Sequence, residues 1–244
     1  MLVREVEVRW DRVVDPDRHP FDVPFVRNLG VLRFEQAVTF LVGDNGSGKS
    51  TLVEGIATAL DLNPEGGTGS MTFQTTDRPA SSDLGHYLRM VHRNVHRNGS
   101  FFLRAESFFN VATAVDRYDI ASAYSERDAR PRSLHERSHG ESFLAFALHR
   151  WIPGGLYLLD EPESALSFHG QLQMLRIIHE LAHDGSQFII ATHSPILTAL
   201  PGAAIIECTP EGPQATTYDD AEFVNLNRSF LQSPYAYLRH LLLD

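Results

Sequence analysis

Apolar residues in this chain come in short blocks whose period changes from one block to the next. From Leu2 to Trp10 they alternate with charges, placing Val6, Val8 and Trp10 on one side, as in a half-exposed strand. Val38-Thr39-Phe40-Leu41-Val42 is a short apolar run that enters a glycine-rich loop, and Thr51 to Leu60 continues as a helix. Residues 61–70 predict an irregular loop. Leu84, Leu88, Val91 and Val95 then recur at helical spacing, with Arg89, His92, Arg93, His96 and Arg97 around the other faces. Phe101 to Ser107 reads as a buried strand ending in a polar turn, and residues 116–137 are charged and arginine-rich, with Pro131 breaking any helix. An apolar helix from Phe143 to Trp151 follows, then a strand in Gly155–Pro162 that Pro162 ends, a second in Gln187–Pro195 that ends in an exposed His193, and another over Ala203–Cys208. Phe230 to Leu243 predicts one terminal amphipathic helix with Leu231, Tyr235, Leu238 and Leu242 on one side, which either packs on the core, the more economical reading, or presents a partner surface. There is no internal repeat and no long low-complexity segment.

Composition narrows the possibilities. A chain of 244 residues with 43% hydrophobic content suits one large α/β domain, or a core carrying a lobe. A formal net charge of −10 gives no general attraction to DNA or anionic membranes. The basic cluster between Arg89 and Arg97 could still contact a nucleic-acid backbone, or be a solvated helix face; the second reading is the more economical. The N-terminus has no apolar signal region, and no apolar run approaches membrane-spanning length. The single cysteine, Cys208, can form no intrachain disulfide and offers no metal cluster. These features lead us to expect a soluble cytoplasmic protein.

The candidate chemistry begins with lysine usage. Of 21 basic side chains only Lys49 is lysine, the rest being arginine, and it stands in Gly43-Asp44-Asn45-Gly46-Ser47-Gly48-Lys49-Ser50-Thr51. Such a P-loop wraps backbone N–H groups around phosphate and needs a slim ammonium on a flexible stem, which arginine's wide planar fork cannot replace. Strand, glycine loop and helix follow in order, and the helix N-terminus adds N–H groups and a favourable dipole. Ser50 is the candidate hydroxyl for Mg²⁺. These residues predict nucleoside triphosphate binding.

Gly155-Leu156-Tyr157-Leu158-Leu159-Asp160-Glu161-Pro162 is an apolar strand ending in two acids, the Walker B pattern. Asp160 would hold the Mg²⁺ shell and Glu161 would polarise the attacking water. Gln187 to Pro195 is a second buried strand, with His193 expected at the carboxyl edge of the sheet as a γ-phosphate sensor. Arg137-Ser138-His139-Gly140-Glu141-Ser142, opening the helix from Phe143, is either a second phosphate-binding turn or an ordinary helix cap.

Taken in order, these pieces resemble the ATP-binding-cassette (ABC) ATPases from about Val38 to about Pro195. The matching parts are the Walker A loop, a degenerate signature at Ser138-His139-Gly140-Glu141, Walker B, a D-loop at Ser164-Ala165-Leu166-Ser167 and the switch His193. Phe101–Asn110 and Glu136–Phe143 further look like a bacterial group of small soluble ATPases of this superfamily. The resemblance implies a P-loop NTPase fold, α/β, with a mostly parallel sheet flanked by helices and a small helical lobe. A single domain would span 1–244, with the nucleotide-binding core at about 1–75 and 145–244 and the lobe at about 76–144. It implies ATP and Mg²⁺ as ligands, and two copies stacked head to tail, with Ser138 and Gly140 of one acting on the γ-phosphate of the other. The result is an ATP-gated clamp acting on a protein or nucleic-acid partner.

The departures from the family pattern leave several points open. The usual Leu-Ser-Gly-Gly-Gln signature is here Arg137-Ser138-His139-Gly140-Glu141. The Q-loop residue is Gln74, 25 positions after Lys49, or Glu106, and the adenine-stacking aromatic is Phe21 or Phe25. The nucleotide-binding subunit of a membrane transporter is a second reading, though only 89 positions separate Lys49 from Ser138. That spacing leaves no room for the long coiled coils of chromosome-maintenance relatives. A regulator that binds ATP and barely hydrolyses it is a third.

Overall fold

In a computed structural model of the chain, residues 1–63, 83–93, 99–104 and 139–242 are described. The elements run β1 (Val3–Val8), α1 (Pro24–Arg27), β2 (Val31–Arg33), β3 (Val38–Val42), α2 (Lys49–Ala59), β4 (Leu88–His92), β5 (Phe101–Arg104), α3 (His139–Arg150) and β6 (Leu156–Asp160). They continue with α4 (Phe168–His183), β7 (Gln187–Ala191), β8 (Ala204–Thr209), β9 (Gly212–Thr216), α5 (Glu222–Gln232) and α6 (Pro234–Leu242).

Six strands form the central sheet in the order β5-β6-β7-β3-β8-β9, parallel throughout except for β9. Every residue of β3, β6 and β7 is buried, because parallel strands joined through helices are covered on both faces. The pleat divides them between two cores. Phe40, Tyr157, Leu159, Phe188 and Ile190 meet Phe143 and Phe146 of α3 and Met174 and Ile178 of α4. Leu41, Leu156, Leu158 and Ile189 meet Leu52, Val53 and Ile56 of α2 and the valines of β1. At about 1.5–3 kcal/mol for each fully buried large side chain, these two layers fix the strand ends in place.

A second, antiparallel sheet, β2-β1-β4, covers the α2 side. The buried Gln187 side chain links the two sheets: its Oε1 accepts from the N–H groups of Leu2 and Val3, and its Nε2 donates to the Val3 carbonyl.

Two sequence expectations fail here. The helix expected from Leu84 is a short 3-10 turn, Asp83–Tyr87, followed by strand β4 paired with β1. From Leu88 the period is two: Leu88 and Met90 turn towards the core, while Arg89 and Val91 face out. Leu84 is fully buried against Gly55 of α2, where a Cβ would stand 3.1 Å from the Leu84 side chain and press it aside. Arg89 faces its cross-strand neighbour Glu7 at 2.9 Å, so within the basic cluster it is spent on an ion pair. Val95, His96 and Arg97 lie outside the described residues, as do residues 64–70 of the expected loop and the whole of 116–137. Both β4 and β5 fall inside the segment expected as a helical lobe, yet each belongs to a sheet.

The terminal helix is also different. Pro234 has no N–H and forces Ser233 out of the helical region (φ −145°, ψ 60°), so the chain breaks into α5 and α6. Leu231, Tyr235 and Leu242 are 76%, 85% and 73% exposed, so that face does not pack on the core. The tail is anchored instead by Ala221, Val224 and Phe223 at the start of α5.

Candidate nucleotide site

The strands β6, β7 and β3 are neighbours, and their carboxyl ends bring Lys49, Asp160, Glu161 and His193 to one edge of the sheet. Gly43 leaves β3 at φ +138°, and a Cβ there would lie 2.9 Å from the Cys208 carbonyl. Gly48, the N-cap of α2, sits at φ +100° against Val23 and Phe25. Both positions therefore require glycine. Between them Asp44, Asn45 and Gly46 are exposed, and the Ser47 N–H returns to the Asp44 carbonyl at 3.2 Å. Lys49 and Ser50 open α2, and Thr51 is half-buried behind them.

Lys49 is 4% exposed. Its Nζ donates to the carbonyls of Gly43 and Asp44, each at 2.8 Å. Burial lowers its pKa, while the negative charge of Glu161, Asp160 and Asp44 works the other way. The ammonium thus sits inside the curl of its own loop, held by the same turn whose N–H groups would face a phosphate.

Ser50 Oγ donates to Asp160 Oδ1 at 2.8 Å, joining the P-loop helix to the end of β6. The other carboxylate oxygen, Oδ2, accepts from Arg104 Nε at 3.0 Å. Arg104 also pairs with Glu54 of α2, so one guanidinium bridges two largely buried acids on two elements. Sequence reading had passed over both residues. The available signal was a charged residue ending the apolar run Phe101-Phe102-Leu103, directly in register with Asp160 on the adjacent strand.

Glu161 follows in a left-handed conformation, φ +49° and ψ 50°, unusual for a residue with a side chain. Its N–H still bonds the Ala191 carbonyl of β7 at 2.9 Å, so the strained turn is pinned to the neighbouring strand. Its Oε1 lies 3.7 Å from His193 Nε2. The His193 N–H donates to Glu163 Oε1 at 2.6 Å. Burial raises the Glu163 pKa, against the opposing hydrogen bond from the His193 amide. Among the described residues, Glu163 Oε2 and His193 Nε2 are two of five buried side-chain polar atoms with no hydrogen-bond partner.

Gly140 lies in the first turn of α3, and a Cβ there would stand 2.7 Å from the carbonyl of Ala165, in the Ser164–Ser167 segment. Ser138, Gln74 and Glu106 lie outside the described residues. Phe21 and Phe25 are 5% and 1% exposed. Phe21 sits edge-on to Trp10 and Tyr87, and Phe25 lies under Gly48, so both rings are core. Chemically, the edge offers a glycine loop holding an ammonium, a hydroxyl touching a carboxylate, and a second carboxylate beside an imidazole. No helix among the described residues is long and apolar enough to cross a membrane.

Comparison with known proteins agrees with this geometry. The family described as "AAA domain, putative AbiEii toxin, Type IV TA system" matches residues 74–199, more than half of the chain, and one described as "AAA domain" matches residues 23–107. The chain is 32% identical over 166 residues to the cytochrome c biogenesis ATP-binding export protein CcmA of Rhodopseudomonas palustris, covering 64% of this chain and 78% of that protein. It is 30% identical over 188 residues to the macrolide export ATP-binding/permease protein MacB of Acinetobacter baylyi, and 28% over 177 to the zinc import ATP-binding protein ZnuC 1 of Aliivibrio fischeri. Each match takes in 70% of this chain, which spans only 27% of the macrolide protein's length and 61% of the zinc protein's. The chain belongs to the ATP-binding-cassette family of P-loop ATPases.

Proposed function

We propose that this chain binds Mg-ATP between two head-to-tail copies of itself and hydrolyses it to ADP and phosphate. Opening and closing of the pair then acts on a protein or nucleic-acid partner. The observation that supports this best is the convergence at one sheet edge: Ser50 touches Asp160 while Glu161 stands 3.7 Å from the His193 ring.

The P-loop N–H groups and Lys49 take the β- and γ-phosphates. The Ser50 hydroxyl and the Asp160 carboxylate are hard oxygen donors already in contact, a set that fits magnesium. When bound, the ion neutralises charge on the phosphate oxygens. Glu161 accepts a proton from water as that water's oxygen bonds to the γ-phosphorus and the bond to the β-phosphate oxygen breaks. His193 hydrogen-bonds the γ-phosphate from the neighbouring strand. Ser138 and Gly140 complete the site from the second copy, and residues 164–167 cross the interface. Residues of about 1–75 and 145–244 act as the nucleotide-binding core.

The test is the solution mass of Glu161→Gln with and without Mg-ATP. Stalled hydrolysis should accumulate a species of twice the mass only with nucleotide. A mass indifferent to ATP, with ATP binding verified, would reject the two-copy site.

A second reading, the nucleotide-binding subunit of a transporter, is favoured by the transport names carried by the three relatives above. Recovery of the expressed chain in the membrane fraction of its host, released by detergent with a membrane protein, would favour it over the first. Recovery in the soluble fraction alone would count against it.

A further inference from the structure

Glu163 is neither part of the P-loop nor one of the two acids that end β6, yet it holds the residue next to the reaction. It lies in the short 3-10 turn Pro162–Ala165 that follows Glu161. From there its Oε1 accepts the His193 N–H at 2.6 Å, a short charge-assisted contact spanning 30 residues of sequence. That contact closes a ring. The Glu161 N–H is tied to Ala191 at the end of β7. Two residues on, the His193 peptide is tied back to Glu163, and the side chains of Glu161 and His193 face each other inside the loop so formed.

The residue after the histidine is held separately. Ser194 Oγ donates to Gln171 Oε1 on α4 and accepts from the N–H groups of Ile196 and Leu197. The polypeptide beyond His193 is therefore anchored whether or not Glu163 is present. Glu163 grips the one peptide that carries the imidazole, and the neighbouring Thr192 hydroxyl also works on its carboxyl. The grip comes at a cost, since burial raises the Glu163 pKa and its Oε2 makes no close hydrogen bond among the described residues. A position selected for stability alone would carry a residue that leaves no such atom.

We propose that Glu163 is a positioning residue for hydrolysis: by gripping the His193 amide it sets the distance between the imidazole and Glu161, and it takes no part in holding ATP. This rests on the role given to His193 above. A shift of about 1 Å at a reacting group can cost on the order of 100-fold in rate, so the grip on one peptide is enough to matter.

The test compares Glu163→Ala, Glu163→Gln and His193→Ala in steady-state hydrolysis and in binding of a fluorescent ATP analogue. Glu163→Ala should lower kcat about 10- to 100-fold, with the dissociation constant within about twofold of native. Glu163→Gln keeps an oxygen acceptor for the amide and should recover kcat to within about threefold. A Glu163→Ala kcat within threefold of native, while His193→Ala is down tenfold or more, would overturn the proposal and leave the role of His193 intact. Native kcat in His193→Ala would overturn that role, and the proposal with it. Equal loss of binding and rate in both Glu163 variants would show a general structural part and also overturn the proposal. If Glu163→Ala does not fold, hydrogen exchange of the His193 amide decides. Strong protection in the native chain and in Glu163→Gln, lost in Glu163→Asp together with kcat, supports the grip; protection unchanged in Glu163→Asp rejects it.

Discussion

The P-loop and the histidine loop leave adjacent strands, β3 and β7, but they are built on opposite terms. In the P-loop the ammonium of Lys49 donates to two carbonyls of its own turn, and Ser50 has a carboxylate to donate to. Around His193 there is a residue with side chain in a left-handed turn, a carboxyl whose pKa burial has raised, and two buried polar atoms without a hydrogen-bond partner among the described residues. The phosphate-binding side is internally satisfied, and can be made locally from glycine geometry and one helix end. The histidine side keeps polar atoms unspent, which costs stability; in the proposed mechanism the His193 ring is thereby left to interact with the γ-phosphate.

The contrast predicts different losses on the two sides. The largest should follow Glu161→Gln, which removes the proposed base without touching the P-loop. Steady-state assays should show kcat falling about 10²- to 10⁴-fold while the ATP dissociation constant holds within about twofold. Parallel loss of binding would erase the distinction between the sides. Next comes Arg104→Met, which strips the bridge from Glu54 and Asp160 and leaves two buried carboxylates side by side. Urea unfolding should report about 3 kcal/mol less stability, the expected cost of deleting one partner from a buried ion cluster. A loss below about 1 kcal/mol would mean the cluster is hydrated.

Lys49→Ala should act the other way round from Glu161→Gln, weakening ATP binding by about 1.5–3 kcal/mol in titration calorimetry. It should leave the unliganded fold at or above native stability, because the buried ammonium is disfavoured by desolvation.

The smallest effect concerns Glu163→Gln and has a pH signature. Burial raises the folded-state pKa of Glu163, so its protonated form favours the fold. That stabilisation is fully present below the unfolded pKa, near 4.5, and is lost as pH rises through the folded value. Glutamine has no such loss. The variant should therefore melt about 2 °C above native at pH 7.5, with the gain shrinking towards pH 4. A gain equal at both pH values would remove the electrostatic explanation.

Much of the fold could be read from the sequence because the central strands are long apolar runs bounded by glycine, acid or histidine. Val38–Val42, Leu156–Asp160 and Gln187–Ala191 are strands where the pattern puts them, and α2 begins within two residues of its predicted start. Misreadings came where spacing was ambiguous. Leu84, Leu88 and Val91 satisfy a helical period, but pairing with β1 selected the period of two at Leu88 and Met90. At the other end, a plausible apolar stripe from Leu231 to Leu242 ran across Ser233-Pro234, where the ring of Pro234 ends helix α5.

The sequence by itself determined the chemistry on offer: one lysine in a glycine loop, an acidic pair after a buried strand, and a histidine at a strand tip. Each is a local feature, carried by neighbouring residues whose backbone needs and charges can be read in place. Only the tertiary structure decided which of those groups meet and what holds them. Ser50 and Asp160 touch across 110 residues, and His193 is gripped by Glu163 across 30. Arg104 reaches both Asp160 and Glu54 because β5 lies beside β6 with Arg104 opposite Asp160, and α2 brings Glu54 to the same guanidinium. Such contacts depend on strand order, and strand order is set by how the apolar faces of α2, α3 and α4 share the two sides of one sheet, a global packing solution that no short stretch of sequence encodes.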